Sequence, residues 1–165
     1  MQEATIQLTP LTEESFSPFG DVLEAAPHRR QESINGGDTL KFLDQSRVVA
    51  RGGDGVAISI FRAQRSSALP FRVEVLERHP NGSQAFMPLD RRPFVVIVGE
   101  VEDATRVKSI KAFLSNGNQG INLRPGTWHH HLITFHEGQE FLVVDRVGSD
   151  NLDTLRLEQS ALVVT

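Results

Sequence analysis

The sequence predicts an all-β protein, a sandwich or barrel of short strands with one or two short helices. Three observations predict it. Apolar runs rich in β-branched residues recur at strand length, clusters of Gly, Pro, Asn and Asp punctuate them, and sustained helical periodicity is scarce. At 165 residues the chain fits one domain, large enough to bury a core.

The first element is helical. In "LTEESFSPFG" Thr12 can cap, Glu13 and Glu14 suit the positive end of the helix dipole, and Pro18 and Gly20 stop the turn. The polar, Gly-ended stretch from Ala25 to Gly37 reads as a loop or lid. Strands are expected at Gly55 to Ala63, Leu69 to His79, Gln84 to Pro88, Phe94 to Val98, Ser109 to Leu114, Thr127 to Thr134, Glu140 to Arg146 and Ala161 to Val164. Between them stand "RGGDG", "HPNGS", "LDRRP", "SNGNQG" and "VGSDNLD", all rich in turn formers.

Composition excludes several functions. The net charge is −4 with both signs dispersed, so no polybasic block exists to neutralise phosphates, and no nucleic-acid partner is expected. There is no cysteine, which removes disulfides, thiolate catalysis and cysteine zinc sites; a metal would need His, carboxylate or amide ligands. No apolar run approaches bilayer length and the N-terminus lacks a signal-peptide pattern, so no membrane association and a cytoplasmic location are expected.

Chemistry concentrates at two strand ends. In "LPFRVEVLERHP" alternation puts Phe71, Val73 and Val75 on one face with Glu77 and His79, and Arg72, Glu74, Leu76 and Arg78 on the other. The apolar face would thus end in a carboxylate and an imidazole at the mouth of the interior, or both groups would simply reach solvent past the rim. In "RPGTWHHHLITF" alternation puts His129 and His131 on one face and Trp128 and His130 on the other, so at most two of the three histidines can enter one site. Trp128 and Phe86 read as wall or core aromatics, and His28, His130 and His136 as surface or interface residues.

The segment P-G-x-x-H at Pro125 to His129 resembles the second motif of the cupin superfamily, and Glu77-x-His79 followed by Gln84 is a weakened form of the first. Longer stretches are more specific. "VLERHPNGSQAFMPL", "FLSNGNQGINLRPGTWHH" and "FLVVDRVGSDNLD", with "FSPFGDVLE" and "INGG" nearer the start, resemble in colinear order the ureidoglycolate lyases of allantoin and purine catabolism. His131 stands where that family usually has proline, and Val147 and Leu152 where it has glycine and cysteine.

The resemblance implies a single cupin-like catalytic domain over 1–165, an antiparallel jelly-roll sandwich or barrel that works as a lyase. Its reaction would split (S)-ureidoglycolate into glyoxylate and urea by acid–base elimination. It implies a homodimer and activity helped by a loosely bound divalent ion, nickel by family resemblance, without an organic cofactor. The catalytic residues expected are His79, His129 and Glu77; Asn35, Arg78, Gln84, Arg146 and Ser149 are expected to bind substrate, and His79, Gln84 and His129 to hold the metal. Arg78 would need a bulge to turn inward, and could instead serve the dimer interface or a salt bridge with Asp145 or Asp150. A non-catalytic module binding a small carboxylate such as glyoxylate is the alternative, and a metal-dependent isomerase or dioxygenase a more distant one.

Overall fold

"FVVIVGEV", residues 94 to 101, is buried on both faces over its first six positions, and that double burial organises the molecule. The structure is a computed structural model that describes residues 4–53, 55–103 and 107–165. In chain order its elements are β1 (Ala4–Pro10), α1 (Glu13–Phe16), β2 (Gly20–Leu23), β3 (Gln31–Ile34), a 3-10 turn (Asn35–Gly37), β4 (Thr39–Phe42), β5 (Val56–Arg62) and β6 (Phe71–Arg78). There follow β7 (Gln84–Pro88), β8 (Phe94–Val101), β9 (Val107–Leu114), β10 (Gly120–Leu123), β11 (Trp128–His129), β12 (Ile133–Thr134), β13 (Glu140–Arg146) and β14 (Asp153–Val164).

One sheet runs β11-β6-β14-β1-β9-β8-β12, and a further pairing of β11 with β8 closes six of its strands into a barrel. Inside lie Val73, Leu76, Val95, Ile97, Ala112, Trp128, Leu155 and Val163. The second sheet, β2-β10-β7-β13-β5, packs against the outside of β8 and β9. Phe94, Val96, Val98 and Phe113 face it and meet Phe86, Ile121, Leu123, Phe141 and Val143, with Phe16 of α1 plugging one end. Each such side chain, once taken from water, contributes roughly 1.5–3 kcal/mol, which is why β8 alternates between two cores without a polar residue in its first five positions.

The expected fold class holds: an all-β, cupin-like sandwich and barrel with two short helical segments. Thr12 caps α1 as the sequence indicates, with Ser15 completing a capping box. The antiparallel expectation fails at one strand, since β1 lies parallel to both neighbours, β14 and β9. Thr127 to Thr134 is not one strand but two dipeptides, β11 and β12, because the chain leaves the sheet after His129. The stretch from Ala25 to Gly37 is not all loop; it carries β3, which pairs with β4 as a hairpin.

Strict alternation in β6 is also overturned. Val73 and Leu76, three positions apart, both enter the barrel interior, while Glu74 and Val75 are exposed between them. The register against β14 shifts there, between Arg156 and Ala161. A bulge of this kind flips the faces of everything beyond it, so Val73 lies opposite to the side that carries Glu77 and His79.

Candidate active site

β6 and β11 lie side by side, with Glu77 directly opposite His129. His79 follows at the end of β6, and its ring sits 5.3 Å from that of His129, centroid to centroid, tilted by 45°. His129 Nε2 lies 3.6 Å from a Glu77 carboxylate oxygen. One ligand atom each from Glu77, His79 and His129 falls within 4.8 Å of the others.

Both rings are held by backbone. Nδ1 of His79 bonds the Asn151 carbonyl at 2.7 Å, and Nδ1 of His129 bonds the Thr127 carbonyl at 2.9 Å. A carbonyl only accepts, so each Nδ1 carries a proton and each Nε2 is the ring nitrogen left to face a ligand. Neither Nε2 has a hydrogen-bond partner although both are buried.

Turn chemistry aims these carbonyls. Gly126, at φ +82° after Pro125, lets its N–H reach the His79 carbonyl at 2.8 Å, which ties the two arms together, and Thr127 Oγ1 donates to the Phe19 carbonyl. "GSDN" is a turn with a task. Asn151 accepts from the Asn81 N–H through its side chain while its carbonyl fixes His79, and Asn81 Nδ2 donates to the Asp150 carbonyl.

Burial pushes the His129 pKa down to about 4, and the neighbouring rings of His79 and His130 push the same way against the Thr127 hydrogen bond. His129 is therefore neutral at pH 7, and its contact with Glu77 is not an ion pair. A cavity of about 190 Å³ opens beside these groups, lined among others by Glu77, Gln84, His129, Arg62, Phe61 and Phe86. Its size suits a small acid rather than a peptide or nucleotide.

The other expected site residues fare differently. Gln84 is buried in the lining, its amide nitrogen donating to Asp145 at 3.2 Å. Arg78 faces away, as alternation requires: its guanidinium lies over the Trp128 ring at 4.7 Å and bonds Asp153 at 2.8 Å, not Asp145 or Asp150. Arg146 is buried and holds the loop carbonyls of Arg51 and Gly52 together with Asp150. Asn35 sits exposed at the β3–β4 turn, bonded to Thr39, and Ser149 is exposed; neither is among the residues lining the cavity.

His130 is a correction. It is buried, not a surface residue, because its N–H bonds the Ile97 carbonyl and its ring packs edge-on against Phe71 at 5.2 Å. Burial lowers its pKa to about 4 as well. His131, Leu132 and Thr134 line the cavity too, and so does Arg62. The histidine run itself signalled the first of these; no local pattern signals the others. His28 is exposed as expected, yet has partners in Glu24 and Glu13.

The residues present fit a divalent ion. Two imidazoles with orphaned Nε2 atoms, each fixed by a backbone carbonyl on the far nitrogen, plus a carboxylate, form a recognised ligand and support set. Glu77 joins the two histidines in this cluster, and its anionic oxygen is a stronger ligand than the amide of Gln84.

Two imidazoles and a carboxylate brought together between two β-sheets give this cupin-like protein a candidate active site assembled from strand ends. Comparison with known proteins narrows the class: the chain belongs to the ureidoglycolate lyase family, whose profile matches residues 3–164. A ureidoglycolate lyase from Pseudomonas syringae pv. tomato is 45% identical over 148 residues, covering 89% of this chain and 86% of that protein. One from Brucella anthropi is 43% identical over 155 residues, covering 93% and 90%. Among solved structures a 3,4-ketoisomerase from Helicobacter canadensis matches 80% of this chain and 87% of its own at 14% identity and a TM-score of 0.46, a likeness too slight to bear on the reaction.

Proposed function

We propose that this protein is a ureidoglycolate lyase that splits (S)-ureidoglycolate into glyoxylate and urea at the Glu77, His79 and His129 cluster. The observation that carries the reading is the pair of unpartnered Nε2 atoms beside a carboxylate, of which His129 and Glu77 line a small cavity, in a chain from this family.

The substrate carries a hydroxyl and a ureido nitrogen on one carbon. Elimination removes the hydroxyl proton, forms the aldehyde carbonyl and breaks the carbon–nitrogen bond, while the departing nitrogen takes up a proton; no co-reactant is needed. Glu77 and the two Nε2 atoms are the proton acceptors available, and whichever takes the hydroxyl proton can return it to the nitrogen. Gln84, its nitrogen engaged by Asp145, offers its amide oxygen to the urea N–H groups. A divalent ion held by His79, His129 and Glu77, nickel being the one the family resemblance names, would engage those same atoms and replace their proton-accepting role with Lewis-acid activation of the substrate oxygens.

A homodimer in the cytoplasm completes the reading. The edge strand β5 supports the dimer: Val56, Ile58 and Ile60 share its outer face, and Ile58 is 72% exposed. An exposed apolar edge without Lys, Pro or a bulge invites a second copy. The deciding assay follows glyoxylate and urea from the (S) substrate. Release no faster than the spontaneous rate, with and without added Ni²⁺, refutes the lyase; tight glyoxylate binding with no turnover would then favour a binding module.

A further inference from the structure

An anionic substrate needs a cation, and the two arginines that the sequence offered are engaged elsewhere: Arg78 on Asp153 and Trp128, Arg146 on Asp150 and loop carbonyls. Among the described residues lining the cavity, Arg62 is the only Arg or Lys. We propose that Arg62, at the end of β5, binds the substrate carboxylate and thereby sets which end of the molecule meets Glu77 and the histidines.

The geometry supports this on three counts. Arg62 shares the cavity lining with Glu77 and His129, so one small acid can touch both ends. Its Nε and Nη2 bond the same Glu140 oxygen at 2.8 and 2.6 Å, which anchors one edge of the guanidinium and leaves Nη1 for a second carboxylate. The side chain is 70% exposed and can shift over an entering ligand.

Electrostatics give the orientation. Glu77 repels a second carboxylate, whereas Arg62, the only Arg or Lys among the described lining residues, attracts one. The substrate carboxylate therefore goes to the Arg62 end, which leaves the hydroxyl and ureido groups for Glu77, His79 and His129.

This inference rests on the lyase reading, and its test separates the two. Wild type, Arg62→Gln and Arg62→Lys are compared at equal metal loading. For Arg62→Gln the KM for (S)-ureidoglycolate rises about 10- to 100-fold, the usual range for losing a charge-assisted hydrogen bond, while kcat changes far less. Arg62→Lys falls between. Inhibition by glyoxylate weakens in parallel and inhibition by urea, which has no carboxylate, does not change. An active wild type whose KM and glyoxylate inhibition are unmoved in Arg62→Gln overturns the role of Arg62 and leaves the lyase standing. An inactive wild type overturns the lyase, and glyoxylate titration of both proteins by calorimetry still decides whether Arg62 holds the carboxylate.

Discussion

Acidification should unfold this protein through two buried rings. His129 and His130 are each held near pKa 4 against an ordinary 6.5. A ring whose folded pKa is lowered binds its proton first in the unfolded chain, so its contribution to stability is intact above 6.5 and is lost as pH falls toward 4. At about pH 5 the unfolded rings are protonated and the folded ones are not; the gap of 6.5 − 5, about 1.5 units, corresponds to about 2 kcal/mol per ring, or about 4 kcal/mol for both. That is a large share of a typical folding free energy of 5–15 kcal/mol. The assay is urea denaturation at steps from about pH 7.5 to 4.5, with chelator present so that no ion shifts the titration. His130→Asn lowers the baseline, since the ring packs against Phe71, but the informative quantity is the slope. The variant should lose about half of the wild-type pH dependence. Parallel curves for the two proteins would refute the assignment of His130 as a buried neutral ring.

Three further outcomes follow from the geometry. One Ni²⁺ per chain should bind by equilibrium dialysis of untagged protein, with affinity lost in His79→Ala and His129→Ala and at least tenfold weaker in Glu77→Gln; unchanged binding in all three would dismiss the cluster as the site. His129→Gln should lower kcat by about 10²–10⁴ with the far-ultraviolet dichroism unchanged, and normal turnover would remove that residue from the chemistry. Ile58→Lys with Ile60→Lys should shift sedimentation from dimer to monomer, and an unshifted boundary would place the interface elsewhere.

How much of this was legible depended on where each strand found its partners. Gln84 to Pro88 and Glu140 to Arg146 were readable to the residue, because turn formers bracket apolar runs that alternate between a core and the outer face. Gly120 to Leu123 was not: "GINL" is short, sits inside a turn-rich stretch, and carries Asn122, whose buried amide nitrogen donates to Ser46 and the Arg47 carbonyl of a distant loop. β1 escaped notice for the same reason, since its pairing comes from strands more than a hundred residues away. Glu77, His79 and His129 stood out because strand ends alternate reliably over two residues. The fate of Arg78 and Arg146 did not, since their partners come from other strands and loops, Asp153 and Trp128 for the first and Arg51, Gly52 and Asp150 for the second, and His130 misled because alternation carries no information once the chain has left the sheet.

The order of the strands along the chain sets when the Glu77, His79 and His129 cluster can assemble. β6 is flanked by β11 on one side and β14 on the other, and β1 waits for β14 as well. Until β14 docks, the strand bearing Glu77 and His79 has one open edge, and the Asn151 carbonyl that steers His79 arrives with the same segment. Closure of the barrel wall and fixing of the His79 ring are therefore coupled, and a chain in which β14 is unpaired exposes a sticky flank at β6.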